Sequence, residues 1–386
     1  MEKIKLGDVA SVITKGTTPT SIGYSFIEKG INFIKIESIS EEGKFIKEKL
    51  AYISEDCHSK LKRSQLKEND ILFSIAGAIG RVAVVDNDII PANTNQALAI
   101  IRIDNRYDKE FLAFLLRSSY IKKQYNRKKQ GVAQINLSLK DISELEIPVI
   151  DIKKQIEIKE TLKKIIEIIT LKKGQIEKLD NIVKSQFVEM FENEKYPKKT
   201  LNELTNKITD GSHNPPTGIA ENEGYMMLSS QNIINNSINY ENVRFLKKED
   251  FEKENLRTNL NRGDVLLTIV GTVGRTAIIT DETNITLQRS VAVLKPTKEI
   301  NSIYLVGAIN SDDVIRQLNK GAKGVAQKGI YLNDIKKVLI AVPPIELQNQ
   351  FAEIVKQIDK QKFESVIKAE KEIEKIQKNI YYKWGR

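Results

Sequence analysis

Gly131-Val132-Ala133-Gln134 returns unchanged as Gly324-Val325-Ala326-Gln327, 193 positions further along the chain. Downstream of this pair, Leu139 and Asp141-Ile142 recur at the same step as Leu332 and Asp334-Ile335. Upstream, Gly30, Ile39, Leu66 and Asp70 return as Gly224, Ile233, Leu260 and Asp264, a step of 194. Gly77-Ala78-Ile79-Gly80-Arg81 becomes Gly271-Thr272-Val273-Gly274-Arg275 in that register. Leu6, Ile13-Thr14 and Gly16 match Leu201, Ile208-Thr209 and Gly211 at 195, and Pro148, Ile150 and Gln155 are matched to Pro343, Ile345 and Gln350, again at 195. Collinear order over half the chain is the signature of an internal duplication. Drifts of one or two positions are what insertions in surface loops produce.

Each repeat divides in two. Its first part mixes short apolar runs with turn signals: Phe33-Ile34-Lys35-Ile36, Ile71 to Ile75 and Arg81 to Val85 read as strands, as do Val265 to Ile269 and Thr276 to Ile279. Asp108 reads as the N-cap of a helix carrying Phe111, Leu112, Leu115 and Leu116. The second part is of another kind. After Pro148 there is no glycine until Gly174 and no proline until Pro197. Leu162, Ile165, Ile169, Ile176, Leu179, Val183 and Met190 alternate three- and four-residue steps, with Lys172 and Gln186 in the gaps, a heptad seam. Val366, Ala369, Ile373, Ile376 and Ile380 continue such a seam near the C-terminus, irregularly around Asp359 to Phe363. The expected fold class is α+β, with two duplicated mixed α/β globular domains separated by two long helices. The boundaries fall at 1–150, 151–195, 196–344 and 345–386. Gly174 is expected to mark a bend.

Composition narrows the function. Hydrophobic residues make up 40% and charged residues 29%, a soluble globular profile. No apolar run reaches the ~20 residues of a membrane span, and the opening Met1-Glu2-Lys3-Ile4-Lys5 has no signal-peptide core. With the single Cys57 and only His58 and His213, neither an internal disulfide nor a zinc cluster is expected, and a reducing cytoplasm fits. The net charge of +10 suits a partner for phosphate backbones, although an Ile-, Lys- and Asn-rich composition also follows from an AT-rich genome.

The position of the charge says more. Arg117, Lys122, Lys123, Arg127, Lys128 and Lys129 stand without an acid between them, interleaved with Tyr120 and Tyr125, and run into Gly131-Val132-Ala133-Gln134. One reading is a solvated face; the other is a phosphate-tracking arm, matched by Arg316, Lys320, Lys323 and Lys328. The turns around Lys15-Gly16-Thr17 and Asp210-Gly211-Ser212-His213-Asn214 are polar loops. Asn95-Gln96 and Gln288-Arg289 carry the amides and guanidinium that read base edges. Candidate DNA contacts are therefore Lys15, Thr17, Arg81, Asn95, Gln96, Lys123, Arg127, Lys128 and Gln134 in the first repeat. The second offers Asp210, Ser212, His213, Asn214, Arg275, Gln288, Arg289, Lys323 and Gln327. The competing reading of each amide or hydroxyl is a turn residue.

Catalytic motifs fail. Asn214-Pro215-Pro216-Thr217 starts like the tetrapeptide of adenine-N6 methyltransferases, but Thr217 cannot stack on a flipped base. Gly77-x-x-Gly80 echoes the KH clamp, yet that loop joins helices and this one joins strands. No Walker A sequence is present. Two alternatives remain open: an adenine-N6 methyltransferase with its own catalytic site, and a basic coiled-coil scaffold without sequence preference.

The chain resembles the specificity subunits of type I restriction–modification systems over essentially its whole length. The resemblance lies in Leu6-Gly7-Asp8-Val9 with Lys15-Gly16-Thr17-Thr18-Pro19, in Asp210-Gly211-Ser212-His213, in Gly131 to Gln134 with Leu137-Ser138, and in Val342-Pro343-Pro344 before Gln350. It implies two target recognition domains, each reading half of a split sequence in double-stranded DNA, with two long helices packed antiparallel between them. It implies two modification subunits that bind S-adenosylmethionine and methylate adenine, and restriction subunits that use ATP and Mg. No cofactor or metal is expected on this chain, nor catalysis.

Overall fold

The computed structural model describes residues 2–127, 136–220, 224–280, 284–322 and 329–384. The chain divides into two units, Met1–Ile169 with Ile373–Arg386, and Thr170–Glu372. Each unit thus holds one globular copy with lengths of both long helices.

The first copy is built on a four-stranded antiparallel sheet in which Ala10–Lys15, Leu98–Ile103, Ile71–Ser74 and Val82–Val84 lie side by side. Its central strands are buried on both faces, and the pleat sends alternate residues to opposite cores. Ile71, Phe73, Ala99 and Ile101 pack with Phe111, Leu112, Leu116 and Ile121 of the following helices. Leu72, Leu98 and Ile100 pack the other way, against Ile34, Ile39, Leu66 and Ala92. A three-stranded sheet, Ala51–Ile53, Ile31–Ile34 and Ala92–Thr94, covers that second face. The strand expected at Phe33 to Ile36 thus ends at Ile34, and Ile36–Ser38 is a 3-10 turn. The strand Lys3–Lys5 pairs with Glu146–Pro148 and ties the start of the copy to its end.

The second copy repeats this order. Thr205–Asp210, Val291–Pro296, Val265–Thr268 and Thr276–Ile278 form the four-stranded sheet, and Arg244–Leu246, Tyr225–Leu228 and Ile285–Leu287 the three-stranded one. Lys198–Thr200 pairs with Leu339–Ala341 as the closing ribbon. This pairing corrects the register at the end of the repeat. Lys3 opposes Pro148 and Lys198 opposes Ala341, so Pro148 corresponds to Ala341, and the step stays at 193. Gln155 likewise corresponds to Gln348 and not to Gln350. Both are fully buried. The Gln155 amide accepts from Asp108 N–H at 2.9 Å and donates to the carbonyls of Arg106 and Ile150. Gln348 accepts from Asn301 N–H at 2.9 Å and donates to Glu299 and Pro343. The recurring prolines stand two positions off the structural register, which is carried by a buried amide that satisfies three backbone groups.

The long helices span Ile152–Phe191 and Ile345–Trp384. The first runs unbroken through Gly174, where a Cβ would meet nothing within 4 Å. Within the second unit the two run antiparallel. Phe187 meets Phe351 edge to face at 5.5 Å, the Lys362 ammonium lies 2.6 Å from Asp180, and Ser365 bonds Gln175 at 3.3 Å. The seam of the C-terminal helix here passes through Ile358, Lys362, Ser365 and Ala369, whereas Val366 is exposed. Lys362 replaces an apolar seam residue, and its charge is held by Asp180 and Asp359, which explains the irregular register. No helix among the described residues is long and apolar enough to cross a membrane.

Candidate nucleic-acid interface

In each copy, backbone hydrogen bonds tie several loop segments together. The turn after the first sheet strand docks on the last strand of the three-stranded sheet: Thr17 N–H donates to Thr94 O at 3.1 Å, and Ser212 N–H to Leu287 O at 2.7 Å. The approach is so close that a Cβ on Gly16 would stand 1.9 Å from Thr94 O, and one on Gly211 2.0 Å from Leu287 O. Only glycine fits there. The next loop joins through the Thr18 hydroxyl, which donates to Gln96 Oε1, and through Arg289 N–H, which donates to Ser212 O at 2.9 Å.

The paired-glycine turn is the next segment. Gly77, Gly80, Gly271 and Gly274 all have positive φ, and the turn joins two strands, as expected. The Ser74 hydroxyl donates to Ala78 O at 2.6 Å and accepts from Arg81 N–H at 2.8 Å; Thr268 makes the same bonds with Thr272 and Arg275. Ile75 N–H reaches Ala97 O, and Ile269 N–H reaches Ser290 O, both at 2.9 Å. Leu137 N–H then donates to Ile75 O and Ile330 N–H to Ile269 O, so the chain just after each Gly-Val-Ala-Gln stretch docks on the same turn.

The candidates sort accordingly. Lys15, Thr17, Asn95 and Gln96 come together in the first copy, with Lys15 and Gln96 exposed. Asp210, Ser212, His213, Gln288 and Arg289 come together in the second, where His213, Asn214 and Arg289 are exposed. Asp210 and Ser212 are buried, and the Asp210 carboxylate is turned to its neighbours rather than to solvent. Arg81 is half-buried and donates through Nη1 to the carbonyls of Ile36 at 3.2 Å and Ile39 at 3.0 Å. Arg275 is exposed and reaches Ile233 O at 3.4 Å. The two arginines thus brace a neighbouring loop as well as facing outward. Lys128, Lys129, Gln134, Lys323, Gln327 and Lys328 lie outside the described residues.

The basic run is less uniform than its sequence suggests. One helix ends at Arg117 and a second covers Ser119–Arg127. Arg117 is half-buried and donates to Glu42 O, and burial lowers its pKa. Tyr125 is core: its ring meets Phe73 edge to face at 6.2 Å, and its hydroxyl fills the space beside Gly80. Lys122, Lys123 and Arg127 stay exposed. The Gln124 amide fixes this helix by exchanging two bonds with the backbone of Glu146, and Gln317 does the same with Leu339.

Two arginines at the site escaped the sequence reading. Arg63 Nη2 lies 3.4 Å from the Thr17 hydroxyl, and Arg257 Nε donates to Asp210 O at 2.8 Å. They are equivalent positions, 194 apart, in the register already set by Leu66 and Leu260. That register was the available signal.

With this geometry established, comparison with known proteins gives one answer. The type I restriction modification DNA specificity domain matches residues 1–181 and again 193–375. The EcoBI specificity subunit of Escherichia coli is 35% identical over 135 residues, 34% of this chain and only 28% of that relative. Among solved structures, a chain from work on complex assembly and conformational transition of the type I R-M system aligns with a TM-score of 0.54 at 17% identity, over 99% of this chain and 96% of that one. The S subunit from M. genitalium aligns at 0.50 and 16%, over 98% and 93%. At such identities these two likenesses speak for the fold.

Proposed function

The chain belongs to the specificity subunits of type I restriction–modification systems, with the DNA specificity domain present in both halves, and we propose that each copy reads one half of a bipartite, asymmetric site in double-stranded DNA. The observation that supports this most directly is the repeated joining of loop segments, framed alike by the Thr17–Thr94 and Ser212–Leu287 backbone bonds and by the paired-glycine turns but edged with different side chains. Like framing gives both copies one docking mode, and different edges give different half-sites. In this reading Lys123 and Arg127 hold phosphates, which supply affinity without sequence information. Gln96, Gln288 and Arg289 present groups that discriminate base edges. The subunit is a recognition component rather than the catalyst. Methyl transfer from S-adenosylmethionine belongs to two modification subunits, and ATP- and Mg-dependent steps to restriction subunits, in the cytoplasm. Residues 1–150 and 196–344 serve as the recognition domains, and 151–195 and 345–386 as the helices that set the spacer and dock modification subunits.

Replacing residues 196–344 with the matching part of a relative tests the modular reading. Mapping of modified adenines should show one half of the motif changed and the other retained. A change in both halves, or in neither, overturns it. The purified chain alone should not methylate DNA when given S-adenosylmethionine; unaided methylation would favour a self-contained methyltransferase.

A further inference from the structure

Lys15 and Asp210 occupy the same position in the two copies, at the end of the equivalent strands Ala10–Lys15 and Thr205–Asp210. The position carries opposite charge in each, and an arginine bonds the same turn in both, Arg257 at Asp210 itself and Arg63 at Thr17. In the second copy the arginine is braced. Arg257 Nε donates to the Asp210 carbonyl at 2.8 Å and Nη2 to the Asp210 carboxylate Oδ1. The other carboxylate oxygen accepts from His213 Nε2 at 2.9 Å. The Asp210 side chain is 9% exposed, those of Arg257 and His213 48% and 55%. In the first copy no carboxylate lies within ion-pair distance of Arg63 among the described residues, and its nearest polar partner is the neutral Thr17 hydroxyl.

A guanidinium has five N–H donors in a fixed fork. Asp210 takes the side that contains Nε and the near N–H of Nη2. The opposite end, formed by Nη1 and the outer N–H of Nη2, has no partner among the described residues. Such a pair of parallel donors, with its orientation fixed and half of its side chain in solvent, matches the O6 and N7 acceptors of guanine in the major groove. Bracing also removes rotamer freedom before binding, so less is lost on contact. We propose that Arg257, held by Asp210, is a specificity-determining residue that reads a guanine in the half-site of the second copy. Its counterpart Arg63, which no carboxylate braces, takes phosphate: bonded to Thr17 in the turn that the exposed Lys15 enters, a guanidinium without a fixed orientation favours a diffuse negative charge over one base edge.

This assignment rests on the DNA-reading role proposed above, and the wild-type complex assayed in parallel keeps the two apart. If the wild-type complex leaves no bipartite modified sequence, the role itself fails. The experiment maps modified adenines and measures salt-dependent binding to the mapped site for complexes carrying Arg257→Lys, Asp210→Asn or Arg63→Ala. Arg257→Lys should make one guanine of one half-site degenerate, lowering discrimination there roughly 5- to 150-fold, with the other half unchanged. Asp210→Asn, which keeps the turn's hydrogen-bonding shape, should relax the same position less, and it serves if the lysine variant does not assemble. Arg63→Ala should leave the motif intact and reduce the slope of log K against log salt by about one. An unchanged motif in both Arg257→Lys and Asp210→Asn overturns the proposal. So does a salt-slope change in Arg257→Lys with the motif intact, because Arg257 would then be a phosphate contact. A change of motif in Arg63→Ala overturns the division of labour between the two arginines.

Discussion

Asp70 with Arg102 and Asp264 with Lys295 fill the same place in the two copies, and so do Gln155 and Gln348, Gln124 and Gln317, and Ser74 and Thr268. Lys15 and Asp210 also fill one place, but there the charge is inverted. The shared pairs are interior or at the foot of an element, and each satisfies backbone groups or a buried charge that would otherwise be stranded. The inverted pair stands at the loop edge. What the fold needs has been kept through the duplication, and the loop edge has been free to diverge. The helix attachments follow the same division. In the first unit Lys159 lies 2.9 Å from Asp108 and Lys163 2.7 Å from Glu110, a polar junction. In the second, Phe187, Phe191, Tyr304 and Phe351 cluster, with Phe191 and Tyr304 centroids 4.8 Å apart, an apolar one.

The comparison breaks most easily at the buried acids. The Asp70 side chain has no solvent exposure and takes Arg102 bidentately, Nε and Nη2 each at 2.7 Å. Asp264 takes the single ammonium of Lys295 at 2.5 Å. Asp70→Ala should destabilise the first copy by about 3–5 kcal/mol, because it leaves an uncompensated cation and the Lys67 N–H without its acceptor. Hydrogen exchange resolved by segment should show lost protection over 1–127 and little change over 224–322. Equal loss in both would mean that the copies do not hold their own stability. The conservative exchange sharpens the point. Arg102→Lys should cost more than Lys295→Arg, since only the former gives up a two-pronged contact.

Gly16 and Gly211 come next. Alanine at either forces a Cβ to within about 2 Å of a backbone carbonyl oxygen, so the turn must move, at roughly 1–3 kcal/mol. The two variants should lose DNA affinity alike, in contrast with substitutions at Lys15 and Asp210, which should act differently. Binding measured at two salt concentrations checks this; unequal losses for the two glycines would deny that the turn is framed in the same way.

How much of this was legible beforehand depends on what carried the signal. The duplication, the central strands and the long helices were readable because Ile71 to Ile75 and Val265 to Ile269 are compact apolar runs and the seam from Leu162 to Met190 repeats, and such patterns survive in a linear string. Lys15, Gln96, Ser212 and Arg289 stood as candidates on residue type alone. What brought them together were contacts between segments far apart in sequence, the Thr18–Gln96 hydrogen bond in the first copy and the parallel bridge of Ser212 and Gln288 in the second, which no local pattern encodes. Gln155 and Gln348 were hidden for the same reason: a buried glutamine looks like a surface one until its partners are in place. That Tyr125 of the basic run belongs to the core was hidden, because the sequence does not tell which face of an amphipathic helix holds its ring. Arg63 and Arg257 were in register all along, but they sit in charged stretches where a lone arginine carries no distinction.

The smallest effect concerns the helix cap that differs between the copies. Asp108 accepts from Phe111 N–H at 2.9 Å and also holds Lys159, whereas its counterpart Asn301 caps Ile303 and Tyr304, and Ala352 stands where Lys159 would be. Burial pushes the Asp108 carboxyl up, but the cap bond to Phe111 and the Lys159 ammonium outweigh it and leave the pKa below the usual range. A carboxyl depressed in the folded state contributes stability that is fully present above its unfolded pKa of about 3.9 and is lost as pH falls through the folded value. Asp108→Asn makes the first copy resemble the second: the cap survives, since asparagine caps as well as aspartate, and only the ion pair goes. At neutral pH the helix Lys109–Arg117 should lose roughly 1 kcal/mol, because both partners are part-buried and Glu110 still lies 3.5 Å from Lys159. Amide exchange at Phe111 and Leu112, compared between pH 7 and pH 3, should show wild type and variant apart at the higher pH and converging at the lower. Asn301→Asp should bring no gain at neutral pH, having no lysine to meet. A gap between Asp108→Asn and wild type that persists unchanged below pH 3 would mean that the cap, and not the charge, separates the two copies at this junction.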